Sequence, residues 1–171
     1  MSVSSFPVLR EIIDSVHAKV HSGLAYSVSH SFTSVADTTS VDVLITVGSN
    51  KYLHSGITIT ATGTSSVSLY SGATVSANGT ALTAYNLNRA SANTTDASWY
   101  YTPTVTGTGT ALAITLIPGG EKNQAVGGSA GALSRGAEWI LNKSTNYLIR
   151  VTNNSGSSAT INVGVMYYEA N

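Results

Sequence analysis

The stretch GLAYSVSHSF (Gly23–Phe32) decides the fold class of this chain. Leu24, Tyr26, Val28, His30 and Phe32 alternate in it with Ala25, Ser27, Ser29 and Ser31. A period of two places the two sets on opposite faces of an extended strand, one apolar and one hydroxylated. Immediately upstream the period is four. Val8, Ile12, Val16 and Val20, with Leu9 and Ile13 beside them, form one apolar stripe of an amphipathic helix. Ser4 and Ser5 offer capping oxygens, Pro7 suits the first turn, and Gly23 supplies the stop. The chain therefore divides into an arm, residues 1–23, and a body, residues 24–171.

Downstream of Phe32 the period of two persists. Val41, Val43, Ile45 and Val47 form the next run, followed by Leu53, Ile57 and Ile59, and by Val67 and Leu69. Thr83, Tyr85 and Leu87 come next, then Trp99, Tyr101 and Val105, then Leu112, Ile114 and Leu116. Ala137, Trp139 and Leu141, then Tyr147, Ile149 and Val151, then Ile161, Val163, Val165 and Tyr167 complete the series. About ten short strands separated by Gly, Asn, Ser and Thr turns predict a single all-β domain, an antiparallel β-sandwich. A jelly roll fits that number best. The segment Gly119–Gly136 (GGEKNQAVGGSAGALSRG) breaks the rhythm and is expected to be a long surface loop.

Composition agrees with such a body. Hydrophobic residues make up 42% of the chain and charged residues 9%, with a formal net charge of zero. Ser and Thr together supply roughly a quarter of the residues, a load suited to the solvent faces of strands. Neutrality and the absence of any basic run argue against a nucleic-acid groove, and they leave little charge repulsion to oppose association. There is no cysteine, so disulfides and thiolate metal sites are excluded. The apolar residues near the N-terminus are interrupted by Arg10, Glu11 and Asp14, unlike a secretion signal, and no apolar run is long enough to span a membrane.

Two nonamers thirty residues apart, TVSANGTAL (Thr74–Leu82) and TVTGTGTAL (Thr104–Leu112), share most positions. Their likeness stops after the final Leu, and a solenoid needs at least three persistent repeats. Asn78-Gly79 and Gly107-Thr108-Gly109 supply residues that tolerate positive φ, so the nonamers read as two strand–turn–strand junctions built alike.

Catalytic chemistry finds little footing. His17 and His21 have helical i, i+4 spacing, but Ala18 stands where a zinc peptidase has its Glu, and both are read as bordering the apolar stripe. His30 shares a face with Tyr26 and Phe32 and is expected as a hydrogen-bonded core or interface histidine, while His54 has no evident partner. The eight carboxylates are spread singly and read as solvated or turn-capping. No phosphate-loop motif occurs, and no Ser or Thr has an evident base and orienting acid beside it in the sequence, so neither an enzyme nor a cofactor is expected. Trp99, Tyr100, Tyr101 and Tyr168 are candidates for a subunit interface or for stacking on a glycan, with one aromatic of each neighbouring pair expected in the core.

In LYSGATVSANGTALTAYNLNR (Leu69–Arg89), WYYTPTVTGTGTAL (Trp99–Leu112), EWILNKSTNYLIRVTNNS (Glu138–Ser155) and VGVMYYE (Val163–Glu169) the chain resembles small structural proteins of tailed-bacteriophage particles. The likeness spans roughly residues 24–169 and consists of strand-and-turn patterns. Similar phage proteins often carry an acid after the Leu-Tyr pair, where this chain has Ser71. The resemblance implies a capsid decoration or cement protein. Such a protein is a sandwich, often trimeric, made in the host cytoplasm and seated on the virion surface against the major capsid protein. In that setting the stripe of Val8, Leu9, Ile12, Ile13, Val16 and Val20 is expected to be an assembly interface. A receptor- or glycan-binding module of a tail or head fibre is the alternative.

Overall fold

The computed structural model describes residues 15–118, 130–132 and 138–171. β1 (Ala25–Val35) contains the alternating stretch and pairs antiparallel with β14 (Ala159–Ala170), from Ala25 opposite Tyr168 to Phe32 opposite Ile161. The other edge of β14 pairs with β3 (Tyr52–Ala61). Beyond β3 lie β11 (Ala130–Ala132) and β12 (Trp139–Leu141), end to end along its outer edge. β7 (Tyr85–Asn86) adds to the free edge of β1. The second sheet runs β10 (Thr110–Ile117), β4 (Ser65–Ser71), β13 (Asn146–Asn153), β2 (Ser40–Thr46), β8 (Ser98–Tyr101), β6 (Thr80–Leu82). β5 (Thr74–Ala77) and β9 (Thr104–Gly107) form a separate two-stranded sheet.

When β11 and β12 are taken as one interrupted strand, β1-β14-β3-β11/12 faces β2-β13-β4-β10. This is the eight-strand order of a jelly roll, so the expected antiparallel sandwich is the observed architecture. The described residues contain fourteen strands instead of about ten, mainly because the chain between β4 and β10 is itself strand-rich. Between the sheets, inward residues of every long strand meet. They include Tyr26 and Val28 of β1, Ile57 and Ile59 of β3, Val67 and Leu69 of β4, Ile149 and Val151 of β13, and Ile161, Val163, Val165 and Tyr167 of β14. Each fully buried aliphatic side chain contributes about 1.5–3 kcal/mol.

At the centre of the second sheet the alternation gives way to consecutive burial. Leu44 and Ile45 of β2, and Leu148 and Ile149 of β13, are all fully buried. Such a run marks a strand covered on both faces. The cover is the β5–β9 pair, which joins Leu44, Leu148, Ala73, Tyr70, Tyr100, Val75 and Val105 into a second small core.

The two nonamers build that cover together. β5 pairs with β9, Val75 lying opposite Val105. Thr80 of β6 lies opposite Tyr101 of β8, and Thr110 of β10 lies opposite Ser71 of β4. Thr80 and Thr110 are thirty residues apart, as are Ser71 and Tyr101, so exchanging the two segments turns one pair into the other and gives the arrangement a local twofold relation. The sheet order reads the same after the exchange, with the Leu44–Leu148 pair at its centre. The turn glycines obey the relation too. Gly79 has φ +87° with a Cβ position 2.3 Å from the Tyr101 carbonyl oxygen, and Gly109 has φ +80° with one 2.2 Å from that of Ser71. The nonamers are two like junctions, as expected, and they are also each other's partners.

The helix α1 spans Ser15–His21 and stops at Gly23, where φ is +68°. Its last carbonyls accept hydrogen bonds from three asparagine amides: Asn88 to His21 (3.1 Å), Asn93 to Ser22 (3.2 Å) and Asn86 to Gly23 (2.9 Å). Val8, Leu9, Ile12 and Ile13 lie outside the described residues. Of the expected stripe, Val16 is exposed and Val20 is partly buried. Most of Gly119–Gly136 also lies outside, but Ala130–Ala132 is a strand and not part of a loop. The run expected at Thr83–Leu87 shrinks to Tyr85–Asn86, because the chain there only touches the edge of β1.

Candidate functional site

The most distinctive surface lies on β10. The sequence places Thr on solvent faces and Leu or Ile on core faces, and β10 reverses this. Leu112, Ile114 and Leu116 are 40, 72 and 62% exposed, while Ala113 packs against the core, Thr115 is partly covered and Ile117 is fully buried. The cause is register. A bulge between Ala111 and Ala113 sets Ala113, Thr115 and Ile117 opposite the inward Leu69, Val67 and Ser65 of β4. Directly paired residues share a face, so Ile114 and Leu116 must point outward beside Ser68 and Ser66. Among the described residues, β10 is also the last strand of its sheet. An apolar row on an edge strand is a template for association.

The outer face of the first sheet is polar. Ser29 and Ser31 of β1, Thr58 and Thr60 of β3, and Asn162 and Gly164 of β14 floor an open depression of about 390 Å³. A neighbouring one of about 430 Å³ continues past Gly56 to Met166, which is 59% exposed. Gly56 and Gly164 keep the floor low.

At the end of this face near Met166, His54 of β3 and Tyr168 of β14 meet Glu138, the residue just before β12. His54 Nδ1 lies 3.0 Å from Glu138 Oε1, and the Tyr168 hydroxyl donates to both carboxylate oxygens at 3.0 and 2.9 Å. The His54 ring stacks on Tyr168 with centroids 4.5 Å apart. The hydrogen bond from His54, reinforced by that from Tyr168, holds the Glu138 carboxyl below its ordinary value against the opposing effect of desolvation. The expectation that His54 has no partner is thus corrected: its partners, Glu138 and Tyr168, come from segments distant in the sequence. An acid–imidazole pair can polarise a nucleophile. The adjacent Ser55 hydroxyl, however, is fully buried on the opposite face of β3 and cannot serve.

The carboxylates are less solitary than their spacing suggests. Asp42 receives two 2.8 Å hydrogen bonds from Arg150, which raise the arginine pKa. Glu169 is 2% exposed and its Oε1 accepts from Thr95 Oγ1 (2.6 Å), Asp96 N (2.7 Å) and Ala97 N (3.2 Å), while Lys51 approaches Oε2 at 3.3 Å. These residues are structural ties, not solvated charges. Asp96 does act as a turn cap: the Asn50 backbone and side-chain N–H groups hydrogen-bond it, lowering its pKa. Among the described residues no group of three or more His, Cys, Asp or Glu could hold a metal. No described helix is long and apolar enough to cross a membrane.

The expected aromatic candidates are mostly covered. Trp99 is 1% exposed in the main core and Tyr168 is 9% exposed. Tyr100 packs into the small core beneath β5 and β9, and Tyr101 stacks on His30 with centroids 3.9 Å apart. The two faces of β8 are both occupied, so this run offers no open aromatic platform. His30 is partly buried in a ring cluster with Tyr101 and Phe32, and desolvation lowers its pKa. Comparison with protein-family models, curated proteins and solved structures returns no match to this chain.

Proposed function

We propose that this chain is a non-enzymatic structural protein of a tailed-phage virion. In this reading it is a capsid decoration or cement protein that binds a shell of major capsid protein and associates with its own copies as a trimer. The observation that carries the proposal is the outward row Leu112, Ile114, Leu116 on an edge strand of a rigid sandwich. A chain with little charge to oppose association and an apolar edge is suited to burying surface against neighbours. Stable contacts bury roughly 1,200–2,000 Å², so the row is one part of a larger footprint to which the arm residues Val8 to Val20 also contribute. The resemblance to phage particle proteins supplies the setting on the virion surface.

The test mixes purified chain with undecorated phage heads and pellets the heads. The unmodified chain co-sediments. An Ile114→Glu, Leu116→Glu variant stays in the supernatant while keeping its thermal midpoint, because both side chains already face water. Equal co-sedimentation of the variant overturns the β10 surface, and no co-sedimentation of the unmodified chain overturns the decoration reading. The rival glycan-binding reading would use the hydroxyl-lined depression, but Trp99, Tyr100, Tyr101 and Tyr168 supply no exposed ring for it.

A further inference from the structure

The strongest unassigned feature is the histidine pair on α1. His17 and His21 are both exposed, with Nε2 atoms 2.9 Å apart and ring centroids 4.5 Å apart at an interplanar angle of 63°. Two nitrogens that share a metal at about 2.0–2.1 Å lie about 2.9 Å apart when the angle at the metal is near 90°, and about 3.3 Å apart when it is tetrahedral. With Nε2 about 1.1 Å from the ring centre, the right-angled case places the centroids about 4.5 Å apart, because both lone pairs converge on one point. Both observed separations match the right-angled case.

The helix end that presents this pair is held firmly. Asn88, Asn93 and Asn86 donate to the carbonyls of His21, Ser22 and Gly23, and the Gly23 position abuts Ser91, whose Oγ lies 2.1 Å from where a Cβ would stand. A chelate on such an end loses little further conformational freedom on closing around an ion.

We propose that His17 and His21 form a bidentate site for a divalent transition-metal ion, with Cu(II) preferred to Ni(II) and Zn(II). Imidazole nitrogen suits all three ions, and a right-angled pair suits the tetragonal geometry of Cu(II) and Ni(II). Both rings bind as neutral imidazoles through Nε2, with the proton on Nδ1. In the isolated chain water fills the remaining positions. The site is independent of the β10 surface and of the decoration reading.

The experiment titrates tag-free full-length chain with CuCl₂, NiCl₂ and ZnCl₂ by isothermal calorimetry, and records the Cu(II) electron paramagnetic resonance spectrum. The unmodified chain takes up one Cu(II), most tightly of the three ions, with superhyperfine structure from two nitrogens. His17→Gln and His21→Gln each weaken Cu(II) binding by about tenfold or more, since a single imidazole cannot chelate. His54→Gln binds as the unmodified chain does. Glutamine is a good helix former, and an unchanged thermal midpoint verifies that each variant is folded. Absence of Cu(II) binding, or binding that survives both α1 substitutions, overturns the site. In the first case the pair is held by a shared proton alone.

Discussion

Replacing Gly109 with Ala tests how the second nonamer is held. Gly109 has φ +80°, and a Cβ there would stand 2.2 Å from the Ser71 carbonyl oxygen and 2.8 Å from the Gly72 carbonyl carbon. Two costs follow. A left-handed backbone carrying a Cβ costs about 1–2 kcal/mol. The collision is with backbone, which no rotamer change relieves, and forcing atoms into a packed site costs about 1–3 kcal/mol more. Gly72 separates the two terms. Its φ is +77°, yet a Cβ there meets nothing within 4 Å, so Gly72→Ala carries the conformational cost alone. Thr102, thirty residues on, already holds φ 51° with a full side chain. Urea unfolding should therefore place Gly72→Ala about 1 kcal/mol below the unmodified chain and Gly109→Ala about 2–4 kcal/mol below it. In thermal melts, 1 kcal/mol moves the midpoint of a chain this size by about 2–4 °C. Gly79→Ala should match Gly109→Ala, since its Cβ would stand 2.3 Å from the Tyr101 carbonyl oxygen. If Gly109→Ala and Gly72→Ala destabilise equally, the close approach between the turn and β4 is not what holds the junction, and the reasoning fails.

Glu169→Gln removes the charge that gathers Thr95, Asp96, Ala97 and Lys51 around the end of β14, and it sets an amide N–H₂ against donors. Hydrogen bonds to a buried charge contribute about 1.5–3 kcal/mol each, so a net loss of about 2–4 kcal/mol is expected in urea unfolding at neutral pH, and a loss below about 0.5 kcal/mol would contradict the tie. The carboxyl of Glu138, followed by carbon-13 NMR, should titrate below the ordinary carboxylate value and move upward in His54→Gln. Its depressed pKa favours the folded state above the ordinary value, and that contribution fades as the pH falls through the lowered one. A midpoint at or above the ordinary value would refute the cluster.

Alternating runs such as Tyr26–Phe32 and Ile161–Tyr167 were legible as strands because the pleat sends neighbours to opposite faces, a local property of the chain. From those runs the all-β class and the sandwich followed. Which face of a run is buried is not local. Leu112, Ile114 and Leu116 alternate as cleanly as any core set, yet a bulge at Ala111–Ala113 and the pairing with β4 turn them to water. The same dependence on partners placed Trp99 and Tyr100 under two different cores. His54, Glu138 and Tyr168 could not be grouped beforehand, because only the β12–β3–β14 registers bring them within hydrogen-bonding distance. The histidine pair of α1 was visible in its spacing, but the convergence of its nitrogens depends on side-chain geometry. By itself, then, the sequence determined the element type, the turn glycines and the likeness of TVSANGTAL to TVTGTGTAL. Tertiary structure decided that these two stretches pair with each other across Leu44 and Leu148, because long-range register is a property of the assembled sheets and not of either nonamer.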